Sequence, residues 1–121
     1  MRYAERIPYV FVLDYLVGVD IRIKPMFGCF GIYAGPKLGL FLVKRDRPTL
    51  PGRSGDYQNG IYVATTAQYV EGLTPLFPNC EFQVLKDEKV WIYLSDVDRD
   101  FEQYAILACE MISSNDPRIG R

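Results

Sequence analysis

The sequence predicts an α+β domain with the element order α-β-β-β-α-β-β-α and an antiparallel sheet. Three observations lead there. Residues 24–44 hold two short apolar runs separated by Gly35-Pro36, and short runs bounded by Gly and Pro read as strands rather than helices. Residues 80–94 repeat the arrangement around the charged turn Lys86-Asp87-Glu88. Apolar residues at helical spacing stand near both ends and again after residue 65. With 121 residues the chain is expected to be one domain, 1–121, large enough to bury a core without staples.

Residues 4–17 predict the first helix, with Pro8 tolerated in its first turn and the regular part starting near Ile7. Tyr9, Val12, Leu13 and Leu16 form its stripe, and Gly18 suits its end. Residues 20–24 alternate, Ile21 and Ile23 against Arg22 and Lys24, as a half-exposed strand does. The next two strands are residues 29–34 and 38–43. In the second, Leu38, Leu40 and Leu42 are expected on one face and Gly39, Phe41 and Val43 on the other, so it should be covered on both sides. Gly28 and Gly31 either let a strand bend against its neighbours or leave room for a ligand or partner backbone.

Residues 45–60 are polar and rich in breakers and predict a long loop. Within it, Gly52-Arg53-Ser54-Gly55 reads as mobile chain or as a weak anion nest. Residues 61–64 read as a short strand or an extended lead-in. Thr65-Thr66-Ala67-Gln68 has the form of a capping box and predicts a short helix limited by Pro75 and Pro78. On the last strand, Val90, Ile92 and Leu94 face one way. Trp91 and Tyr93 face the other, either as packing of a second layer or as an exposed aromatic surface. Asp96, Asp98 and Asp100 place negative charge at the start of a terminal helix, where its dipole favours it. Phe101, Tyr104, Ala105, Ala108, Met111 and Ile112 form that helix's stripe, and residues 114–121 read as a tail beyond an ordered core of about 7–113.

The composition bounds the chemistry. There is no histidine, which removes Ser–His and Cys–His nucleophile pairs and histidine-based metal sites. The three cysteines are far apart and form no Cys-x-x-Cys motif, so each reads as a buried thiol. No cofactor, metal site or catalytic residue is expected; helix capping accounts for the three aspartates better than acid–base catalysis does. No apolar run reaches the roughly 18 residues of a membrane span, and no signal peptide is apparent at the start, which predicts a cytoplasmic chain with no membrane partner. Net charge is −1 but uneven: residues 1–53 hold nine Lys/Arg against four Asp/Glu, and residues 54–121 hold five against eleven. Such asymmetry reads either as solvated faces that happen to segregate or as a polar partner surface.

Lys24-Pro25-Met26-Phe27-Gly28, then Gly31-Ile32-Tyr33, then Lys37 with the apolar strand behind it, resembles the signature of the TfoX/Sxy N-terminal domain. Cys29 stands where that pattern has a second glycine. The second half, with Phe77-Pro78, a hairpin carrying Trp91 and an acidic start to the last helix, is similar to YjbR/MmcQ-like domains. The resemblance spans about residues 7–113. It implies a two-layer secretion-chaperone-like α+β fold and a small regulatory or protein-interaction module, non-enzymatic and a homodimer, with a protein partner. Its motif residues are Met26, Phe27, Gly28, Gly31, Tyr33 and Lys37, with Trp91 and Tyr93 in the second half. The alternative it implies is a nucleic-acid-binding regulator. Its contacts would come from the basic 22–53 region: Arg22, Lys24, Lys44, Arg45, Arg47 and Arg53.

Overall fold

The computed structural model describes residues 7–26, 29–45 and 58–121. Six antiparallel strands form one open sheet: β1 Ile21–Met26, β2 Cys29–Ala34, β3 Lys37–Val43, β4 Gly60–Thr66, β5 Glu81–Val84 and β6 Lys89–Ser95. Their order is β1-β2-β3-β4-β6-β5. The α+β class and the antiparallel sheet are as expected. The element order differs by one strand: β4, read as a short strand or a lead-in, is a full seven-residue strand at the centre, between β3 and β6. The cause is its composition. Ile61 and Val63 face one side, Tyr62 and Ala64 the other, and all four are buried, so the segment lacks the polar–apolar alternation that marks a half-exposed strand.

The helices lie on one face of the sheet. The expected first helix is a six-residue 3-10 helix, Val10–Tyr15. Tyr9 just before it is left-handed (φ 54), and a β-branched or aromatic residue stands at four of the six positions, so no α-helical turn starts at Ile7. Thr65 and Thr66 do not form a capping box. Both belong to β4, and no side-chain cap bonds the short helical turn Ala67–Tyr69 that leads into α1, Val70–Leu73. The last helix, α2, runs Phe101–Ser113 and buries Phe101, Tyr104, Ala105, Ala108 and Met111, the expected stripe, together with Cys109. Asp100 is its N-cap without a side-chain bond. Asp98 instead accepts the Asp100 amide at 2.8 Å and closes the turn before the helix.

Val12, Leu16, Leu73, Phe77, Tyr104 and Ala108 from this layer pack on Ile32, Leu40, Leu42, Ile61, Val63, Ile92 and Leu94 of the sheet, and form the main core. The sheet's second face carries a separate cluster of Cys29, Phe41, Val43, Tyr62, Ala64 and Trp91, edged by Met26, Leu38 and Tyr93. Leu38 therefore does not share a face with Leu40 and Leu42. A β-bulge leaves Gly39 unmatched between the pairs Ile32–Leu40 and Tyr33–Leu38, and the extra residue turns Leu38 to the other side. Residues 114–121, read as a tail, are docked on the sheet: Ile119 is buried, the Gly120 amide donates to Ala64 O at 2.7 Å, and Leu38 and Arg121 exchange two backbone bonds of 3.1 Å.

Candidate functional site

The second sheet face is where most of the singled-out residues meet. Gly31 lies opposite Lys24, and Tyr33 opposite Arg22, so all four project to this side with Met26 and Leu38. A Cβ on Gly31 would stand 2.9 Å from Met26 Cε, 3.3 Å from Leu38 Cδ1 and 3.6 Å from a Tyr33 ring carbon. The space left by this glycine is filled by the chain's own side chains. Packing accounts for it without a ligand. Phe27, Gly28, Arg47 and Arg53 lie outside the described residues.

At the centre of the face the aromatic rings interlock. Phe41 stacks on Trp91 with centroids 5.9 Å apart, Trp91 meets the edge of Tyr62 at 5.8 Å, and Tyr62 lies 4.8 Å from Tyr93. Phe41, Tyr62 and Trp91 are 2%, 1% and 6% exposed, so these rings form a packed layer and offer no open surface on which a base or flat ligand could stack. The Tyr62 hydroxyl accepts the Gln58 amide at 2.9 Å, and the Tyr93 hydroxyl donates to Asn59 O at 2.6 Å. The Arg121 guanidinium lies 4.5 Å above the Trp91 ring, while the Trp91 indole nitrogen is buried with no hydrogen-bond partner among the described residues.

The basic residues divide. Arg22 sits 5.2 Å over the Tyr33 ring, Lys24 projects beside it, and Arg45 reaches Cys29 Sγ at 3.5 Å, all on the second face. Lys44 turns away to Asp96 at 3.2 Å. Lys37 is exposed at the opposite end of the sheet, where it lines an open cleft of about 310 Å³ with Gly18, Asp20, Gly35 and Asn115. Sequence reasoning placed these cations in one region; pleat and register send them to different sides.

A polar cluster that the sequence did not announce joins three elements at the end of β3 and β6. The Tyr9 phenol has one proton for two acceptors, Asp96 Oδ2 at 2.8 Å and Val43 O at 3.0 Å, and Lys44 Nζ reaches the same carboxylate oxygen. Burial first, then the bond to and charge of Asp96, push the phenol's ionisation well above its ordinary value, so it remains a donor. This holds the left-handed Tyr9 turn against the sheet and offers no general base at neutral pH. Tyr9→Phe should cost about 1–2 kcal/mol, read from urea midpoints at pH 7, because it leaves the two acceptors short of a donor. The pH dependence follows from the direction of the shift. The unfolded phenol loses its proton near pH ~10 while the folded one keeps it, so the Tyr9 contribution is intact below that pH and declines above it. The phenylalanine variant should show a smaller loss of stability between neutral pH and pH ~11.

Burial, with smaller contributions from Asp98 and Glu110 respectively, pushes the Cys80 and Cys109 thiols up to about 12, which makes them poor nucleophiles. Among the described residues no group of three or more Cys, Asp and Glu is placed to hold a metal, and no helix is long and apolar enough to cross a membrane. Comparisons with family models, with curated proteins and with solved structures give no match.

The residues that sequence reasoning missed are Tyr9, Asn59, Gly60 and Arg121. The sequence pattern puts Tyr9 on a helical stripe, Asn59 and Gly60 in a loop and Arg121 in a tail. The one available signal was the pairing of a glycine with the apolar run at 61–64, which marks a strand start.

Proposed function

We propose that the chain is a non-enzymatic, cytoplasmic protein-interaction module of the regulatory kind that its resemblance to the TfoX N-terminal domain implies, and that it acts as a homodimer joined through β5. The observation that carries this reading is the contrast between the two sheet edges. β1 is blunted: Pro25 removes one amide, and Arg22 and Lys24 project from it. β5 has no proline, and Val84 and Leu85 at its end are 70% and 42% exposed. An open edge with exposed apolar residues invites antiparallel pairing with another strand. A twofold axis would set two β5 strands antiparallel, with the Glu81 end of each beside the other's mixed-charge turn Lys86-Asp87-Glu88. With the second edge blunted, such pairing closes as a dimer and does not run on into a fibre. The two-layer secretion-chaperone-like fold is part of the same proposal; a sheet with helices on one face supports it.

Sedimentation equilibrium tests the reading. The unaltered chain is expected at twice 13.9 kDa, and Val84→Lys, which puts a charge on the pairing edge, at 13.9 kDa. A unaltered chain that stays monomeric at high concentration would remove the dimer from the proposal.

The second reading, nucleic-acid binding, is favoured by one observation: Arg22, Lys24 and Arg45 share the second face with Arg121. The buried rings between them leave phosphate contacts alone to supply affinity, so a mobility shift should appear only at low salt if this reading holds.

A further inference from the structure

β5 is bonded to β6 through alternate residues only. Its register runs Glu81–Tyr93, Phe82–Ile92, Gln83–Trp91 and Val84–Val90, and Leu85 N, next in line, donates to Lys89 O at 2.7 Å. In an antiparallel ladder, bonded and non-bonded pairs alternate. Counting back from Leu85, Gln83 and Glu81 turn their amides and carbonyls toward β6, while Val84 and Phe82 turn theirs toward the open edge. Among the described residues no loop or terminal segment bonds the backbone of Phe82 or Val84.

This outward ladder is bounded at both ends. The Cys80 amide donates to Phe77 O at 3.1 Å, and the Lys86 carbonyl accepts the Lys89 amide where the chain turns through the left-handed Asp87 and Glu88 (φ 60 each).

We infer, on the basis of the β5 dimer proposed above, that its twofold axis passes between the two Gln83 residues, so that Phe82 of each copy pairs with Val84 of the other. In this register each pair exchanges both of its backbone bonds, and every outward amide and carbonyl of Phe82 and Val84 is used. Sliding one copy by a single residue sets outward groups against residues that face β6. Sliding it by two sets Phe82 or Val84 against itself, and the other of the two against Cys80 or Lys86, each of which already has a backbone group engaged. Side chains fit the same register. Val84, 70% exposed, comes beside the partly buried Phe82 of the other copy, on the helix side of the sheet. On the second face the two Gln83 residues meet as a non-bonded pair, with Cα atoms about 4.5 Å apart. Each Gln83 Nε2 donates to Glu81 Oε1 of its own chain at 2.9 Å. Each Glu81 then lies opposite Leu85 of the other copy, which keeps the two Glu81 carboxylates apart.

Cysteine scanning of the full chain tests the register. Under mild oxidation with oxidised glutathione, Gln83→Cys is expected to shift from 13.9 kDa to twice that mass on a non-reducing gel, with the residue 83 peptides of two chains joined in the digest. Val84→Cys is expected to stay at 13.9 kDa, because the two Val84 Cα atoms would stand more than ~7 Å apart, beyond disulfide reach. The unaltered chain, with Cys29, Cys80 and Cys109, sets the background. A Val84→Cys chain that links, or a Gln83→Cys chain that sediments as a dimer without linking, would overturn this register and leave the β5 dimer standing. An unaltered chain that sediments as a monomer would overturn both. If cysteine disturbs the edge, a mixture of isotope-labelled and unlabelled unaltered chain decides. An intermolecular contact between the two Gln83 α protons is expected, and its absence from a dimeric sample would overturn the register.

Discussion

Gly60→Ala is expected to prevent the native sheet from forming. Gly60 starts β4 with φ +147, a region that side chains rarely adopt. A Cβ there would fall inside the van der Waals shell of Leu94 O and come within 2.9 Å of a Tyr93 ring carbon. The carbonyl belongs to the paired strand β6 and cannot swing aside as a side chain would. Strain and backbone overlap together place the loss above about 4 kcal/mol, in the range reserved for substitutions that break a structure. Far-UV circular dichroism with urea titration reads the outcome. Gly31→Ala is the control. Its new methyl would press on the flexible ends of Met26 and Leu38, and such overpacking should cost no more than about 1–3 kcal/mol. If both variants were equally tolerated, β4 would not start where it is placed.

Tyr62→Ala is expected to cost about 3–5 kcal/mol, as large-to-small changes of buried aromatic residues do. Tyr62 is 1% exposed and touches Phe41, Trp91 and Tyr93, so removing its ring opens a cavity in the middle of the second layer. Tyr62→Phe retains the ring contacts and loses the acceptor for the Gln58 amide, which places its cost near 1 kcal/mol. The difference between the two variants, measured by urea denaturation with Trp91 emission as the probe, reports the worth of the second layer. A difference below about 1 kcal/mol would mean that this face is only loosely packed.

These two sites show what could be read from the sequence and what could not. β1 was legible because one of its faces is wet: Ile21 and Ile23 are drawn to the core, and Arg22 and Lys24 remain in solvent. The β5–β6 hairpin and α2 were legible for similar local reasons, a charged turn and a helical stripe. β4 was harder because it is buried on both faces and follows directly on a breaker-rich stretch, so Gly60 reads as the end of a loop. The bulge at Gly39 is set by pairing with β2, which no pattern along one strand records. Thr65 and Thr66 carry a local helix-capping pattern that tertiary context overrides: the strand continues, and the Thr65 hydroxyl finds a carbonyl fifty-three residues away. The docking of residues 118–121 and the bond from Tyr9 to Asp96 are non-local in the same way.

The candidate site was partly legible. Met26, Gly31, Tyr33, Trp91 and Tyr93 were singled out from separate segments, and they do share one sheet face. Trp91 is buried and Met26, Tyr33 and Tyr93 are partly buried, which is the packing alternative of the sequence reading; the sequence leaves the choice open because whether an aromatic strand face is covered depends on the register of its neighbours. That burial is what moves the proposed contact surface from the aromatic face to the β5 edge.

The most direct measurement on the proposed dimer is hydrogen exchange across β5 as a function of protein concentration. If two copies pair through this edge, the amides of Glu81–Val84 should become more protected as concentration rises from micromolar toward millimolar, while those of the blunted edge β1 should not change. Protection of β5 that stays constant across that range would contradict the account.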